Sequence, residues 1–201
     1  MKVTPLNRII LLITCLLAAY QVAVGINGLE NIPTVAYTIA FGVLLVAGLL
    51  IIILGFDALN SRIVVMVSTI IPLSLSLGLV WEHISTLRVL YLIFAIAGFL
   101  AILITRTVTF PMQISIIILA IIHGVAGLVV FLLPSVLSAQ GKTDPGFALV
   151  GLGGALISLG GLLLYFLKTG KPIVSKEIIL RILPALLLLM TLAFVAGFTL
   201  A

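Results

Sequence analysis

Seven apolar runs, each long enough to cross a bilayer, constrain this chain more than any other feature. They are Arg8–Ile26, Val35–Phe56, Ile63–Trp81, Leu87–Thr105, Met112–Leu133, Phe147–Leu167 and Ile178–Leu200. A helix needs about 20 apolar residues to span roughly 30 Å of hydrocarbon. In that solvent unpaired peptide groups are too costly to leave open, so a spanning segment is either a helix or a strand of a closed barrel. Barrel strands alternate apolar and polar residues over about ten positions. These runs are longer and do not alternate, which favours helix. The sequence therefore predicts an all-α fold: a polytopic transmembrane helix bundle of seven spans, with residues 1–201 forming a single integral-membrane domain.

Composition agrees. Only 7% of the 201 residues are charged and 64% are hydrophobic, whereas soluble domains carry about 25% charged residues. The net charge of +5 is spread one or two residues per connection, apart from one cluster, Lys168 to Arg181. That pattern lacks the basic stripe of a nucleic-acid-binding face. The single cysteine, Cys15, excludes an intrachain disulfide. Thr14 stands where a lipoprotein signal needs a small residue, and no small-x-small site follows Leu17 to Val24, so the first run is expected to remain as a helix.

The breaks between runs carry turn residues or charge: Asn27 to Pro33, Asp57 to Arg62, Glu82 to Thr86, Arg106 to Pro111, Ser135 to Pro145 and Lys168 to Glu177. Lysine and arginine accumulate on cytoplasmic connections. With the N-terminus cytoplasmic, the inner side carries Lys2, Arg8, Arg62, Arg106, Lys168, Lys171, Lys176 and Arg181, and the outer side only Arg88 and Lys142. The orientation expected is N-terminus in and C-terminus outside, with the basic cluster facing anionic membrane lipids. The membrane expected is a bacterial or archaeal plasma membrane.

The sixth run is lined with glycine. Gly146, Gly153 and Gly160 recur every seventh residue, as do Gly154 and Gly161. All five fall within about a third of a helix circumference, and Gly151 and Ser158 extend the arc. In lipid, small residues let a neighbouring backbone approach closely. These five are expected to pack helices within one subunit, with a dimer face or a solute path as the sharper alternative. A faint repeat, Ala47–Leu50, Ala97–Leu100 and Gly160–Leu163, places a small residue and leucines at similar depths in the second, fourth and sixth runs.

Polar residues within the runs are the candidates for chemistry. His123 lies near the middle of the fifth run, beside Ala120, Gly124 and Gly127. It suits either a hydrogen bond to a neighbouring helix or ligation of haem or a chlorophyll-type pigment. The other histidine, His83, sits at a run's end, at the wrong depth to share a haem. Gln21, Ser74, Ser76 and His123 are candidates to line a solute cavity between the first, third and fifth runs. Trp81, Glu82, His83 and Arg88 read as an interfacial rim, with too few ligands for a metal site. The sequence contains no phosphate-binding loop, no HExxH and no CxxC, and no carboxylate lies mid-run. A proton- or sodium-coupled pump commonly keeps one there. The function expected is a non-catalytic packing or accessory subunit of a membrane assembly, partnered by other membrane protein subunits or by itself. The alternatives are a carrier or channel for a small neutral or lipid-like solute, and pigment or haem binding through His123.

Overall fold

The computed structural model of the protein describes residues 3–26, 28–108, 111–168 and 173–200; of Asn60, Arg62, Ile63, Val65, Met112 and Lys168 it describes the backbone. Lys2 and Lys171, two of the inner-side charges, lie outside the described residues. The described chain contains no strand. It forms seven helices long and apolar enough to cross a membrane: α1 Pro5–Val24, α2 Asn31–Leu54, α3 Arg62–His83, α4 Arg88–Thr107, α5 Met112–Ala139, α6 Ala148–Lys168 and α7 Lys176–Thr199.

α2 and α5 run furthest past the bounds that the apolar pattern suggests, each at a proline. α2 begins at Asn31, so Pro33 sits in its first turn, where backbone N–H groups have no helical partner in any case. α5 continues through Pro134 to Ala139. It ends in a Schellman motif: Lys142 N–H donates to the Leu137 carbonyl and Gly141 N–H to that of Ser138, both at 3.0 Å. Gly141 takes the left-handed conformation (φ 65°) that this closure requires. The start of α1 is fixed by Thr4, whose hydroxyl accepts from Asn7 N–H at 3.2 Å.

Six helices close a ring in the order α1, α2, α3, α5, α6, α7, with α7 returning to α1; α4 stands outside it, packed on α3 and less extensively on α5. The ring's centre is filled. Phe41 meets Phe194 and Phe198 edge-on at 6.4 and 6.3 Å, Phe198 also packs against Tyr37 and, edge-on, Phe147, and the cluster includes Leu75, Val130 and Met190. Towards the other end, Val3, Leu11, Ile51, Phe56, Leu180 and Leu183 form a second core. The 3₁₀ turn Gly55–Asn60 tucks Phe56 under the bundle there. α4 is the least buried of the seven helices and α3 the most.

α6 lies between α5 and α7, and its glycines divide between the two. Towards α5, a Cβ on Gly154 would stand 2.6–2.7 Å from the backbone of Val130 and Phe131, Gly151 faces Ser135 and Phe131, and Gly161 faces His123. Towards α7, Gly153 meets the ring of Phe194, Gly160 meets Leu186, and Gly146, in the turn before α6, meets Leu200. Gly197 of α7 returns the contact against the Val150 backbone. The closest approach falls at a weak point of α5. Pro134 has no N–H to give the Val130 carbonyl, and it is against that carbonyl that Gly154 packs. The faint repeat is not matched by equivalent packing: Gly48 of α2 meets Cys15 of α1 and Gly161 meets α5, each the preceding helix, but Gly98 of α4 meets Ile122 of the following one.

Close approach of this kind is what associates helices in lipid, where burial of apolar surface gives little net drive. Gly154→Ala is therefore predicted to lower stability by about 1–3 kcal/mol, the usual cost of overpacking, measured by reversible unfolding in detergent. Gly42→Ala, whose added methyl meets nothing within 4 Å, is predicted to leave stability unchanged or raise it by up to about 1 kcal/mol.

Candidate functional site

The polar groups that the fold gathers lie at one end of the bundle, where the α1–α2, α3–α4 and α5–α6 connections meet. Glu30, the residue just before α2, is its pivot. One carboxylate oxygen accepts from Trp81 Nε1 at 2.9 Å, and the other from Arg88 Nη2 at 3.2 Å. Arg88 Nε also donates to the Trp81 carbonyl, and its guanidinium carbon lies 5.6 Å from the centre of the Trp81 ring, within cation–π range. Helix dipoles account for the arrangement. A carboxylate at the start of α2 is favourable, whereas an arginine at the first residue of α4 is not; bringing the two together offsets the second effect. The result ties the ends of α2, α3 and α4.

Behind this latch, Tyr37 Oη donates to Glu82 Oε2 at 3.5 Å, and His83 Nε2 lies 3.9 Å from the same oxygen. Tyr37 is buried, and it reaches Glu82 because Gly78 leaves room for its ring: a Cβ there would come within 2.5–2.6 Å of it. The His83 ring packs at a tilt against Phe147, 5.2 Å between centroids, which joins the α5–α6 connection to the cluster. Trp81, Glu82, His83 and Arg88 are legible in the sequence as a rim. Glu30 and Tyr37 are not, because only the packing of α2 on α3 brings them there. The signal that could have found Glu30 is its position: it is the one carboxylate in the first connection, on the same side of the membrane as Arg88.

The four residues expected to line a solute cavity are dispersed instead. Gln21 is buried near the end of α1, facing α2, and its Nε2 donates to the Gly25 carbonyl at 2.9 Å. Ser76 is buried on α3, donates to the Leu73 carbonyl at 3.0 Å and faces Tyr91 of α4. Ser74 is half-buried on α3, and His123 is half-buried on α5 with Nε2 against Gly161 of α6. α1 packs on α2 and α7, α3 packs on α2, α4 and α5, and the aromatic cluster occupies the space between them. His123 enters a glycine notch between two helices rather than a chamber.

No protein-family model, curated protein or solved structure matches the chain. The latch itself is open to measurement. A double-mutant cycle on Glu30→Ala and Arg88→Ala, read by unfolding in detergent, is predicted to give a coupling of about 0.2–1 kcal/mol, the range of exposed ion pairs. The coupling should shrink as salt is raised.

Proposed function

We propose that the protein is an integral-membrane packing subunit: it contributes no chemistry of its own and associates, through the outer face of α5, with a transmembrane helix of another subunit or of a second copy. The N-terminus lies in the cytoplasm and the C-terminus outside, in the plasma membrane of a bacterium or archaeon. The eight-to-two bias of lysine and arginine supports that orientation. Three buried threonine hydroxyls of the spans turn inward to their own helices. Thr14 donates to the Ile10 carbonyl, Thr105 to Ile102 and Thr191 to Leu187, at 2.7–3.1 Å.

One observation carries the reading. The other glycine of the α5 span, Gly127, is filled by Ser158, and the glycines of α6 in contact with α5 and α7 are filled likewise, but Gly124 has nothing within 4 Å of its Cβ position. It is exposed, and so is Ala120 one turn away. Ala120-xxx-Gly124 is thus a small-xxx-small pair turned outward, the geometry that admits a second helix at short range. Flanking Ile117, Ile121 and Leu128 are exposed on the same side of the helix and supply apolar contact around that notch.

The test is the state of the protein purified in mild detergent, read by native mass spectrometry. The wild type is expected as an assembly. Gly124→Leu is expected to weaken association roughly tenfold or more, a change of about 1.4 kcal/mol, with the fold intact because position 124 is exposed and its Cβ position meets nothing of its own subunit within 4 Å. A monomeric wild type, or an assembly indifferent to Gly124→Leu, contradicts the proposal.

A further inference from the structure

Gln21 is 4% exposed, and its two amide atoms differ in their fate. Nε2 donates to the Gly25 carbonyl at 2.9 Å. That bond fixes the amide's sense, since a carbonyl accepts only from the NH₂ side. Oε1 is left fully buried with no protein donor, an arrangement that costs stability unless something fills the need. The same side chain lines a cavity of about 10 Å³ between α1 and α2, walled also by Gly25, Leu29, Thr34, Tyr37, Thr38 and Phe41. Of the three hydroxyls on this wall, Thr34 donates to the Glu30 carbonyl at 2.9 Å and Tyr37 to Glu82, and that of Thr38 makes no bond to Gln21 Oε1. A volume of this size admits about one water and no larger solute.

We infer that this cavity is a binding site for a single water molecule, which donates to Gln21 Oε1 and thereby pins the α1–α2 connection that carries Glu30. Gln21 is in this reading a positioning residue for the latch, and not part of a solute path. Its amide closes the end of α1 from one side through Gly25. The water satisfies the other side, and its second proton reaches the free carbonyls that the last turn of any helix presents. With both in place, the connection holds Glu30 where it meets Trp81 and Arg88.

Two measurements on the full chain test this. A structure of the wild-type protein in which ordered waters are resolved should show one within about 3.2 Å of Gln21 Oε1. A protein donor at that oxygen, or no density within reach of it, overturns the assignment. Trp81 is the single tryptophan, so its fluorescence reports the latch directly. Gln21→Met keeps the side chain's length but removes both polar atoms, and its emission should shift from the wild type towards that of Glu30→Ala. If Glu30→Ala shifts the emission while folded Gln21→Met keeps that of the wild type, the positioning role is wrong. The wild-type structure decides the water site even if Gln21→Met does not fold.

Discussion

Hydrocarbon offers the peptide group no hydrogen-bond partner, and every other feature of this protein follows from that. Each segment that enters the bilayer must satisfy its own backbone, so the chain is helix wherever it is apolar. The same solvent withdraws the usual reason for helices to associate, because lipid tails are as apolar as leucine. What remains is contact at short range. The chain obtains it with glycine, above all in α6, which presents Gly151, Gly154 and Gly161 to α5 and Gly153 and Gly160 to α7. Where Pro134 leaves a carbonyl of α5 without its helical donor, Gly154 brings the backbone of α6 against it.

Polar groups obey the same constraint. Those in the middle of spans bond back to their own helices, as Thr14, Ser76 and Thr191 do. Bonds across helices are fewer: Cys15 of α1 reaches the Leu45 carbonyl of α2, Ser115 of α5 reaches the Thr105 carbonyl of α4, and the largest group lies at the opposite end from Ser115, where Glu30, Trp81 and Arg88 join α2, α3 and α4. This end is also where the aromatic centre of the ring emerges, through Tyr37, Phe147 and Phe198. The latch thus closes the ring's filled core and ties α4, the helix outside the ring, to α2 and α3.

The spans were legible because the sequence needs only to state its solvent, and long apolar runs do so without reference to any neighbour. Their ends were less so. Pro33 and Pro134 look like stops, yet one falls in a first turn and the other costs a single bond that the chain tolerates. The glycine arc of α6 could be drawn from its period, but period gives an angle and not a neighbour. Gly146, Gly153 and Gly160 prove to face one helix and Gly151, Gly154 and Gly161 another. Equal depth alone does not bring Gln21, Ser76 and His123 together: the ring order keeps α1 on α2 and α7, Ser76 faces α4, and His123 faces α6. Glu30 and Tyr37 were hidden for the opposite reason, since 51 residues separate Glu30 from Trp81 in the chain.

The central claim is that the glycine face of α6 is used within the chain, against α5. Gly127 and Ser158 provide the direct test. A Cβ on Gly127 would lie 3.8 Å from that of Ser158, the separation typical of a disulfide. In a chain whose only native cysteine, Cys15, is replaced by alanine, Gly127→Cys with Ser158→Cys should cross-link within one polypeptide when membranes are oxidised. Failure to cross-link, or a bridge formed only between two polypeptides, would contradict the account.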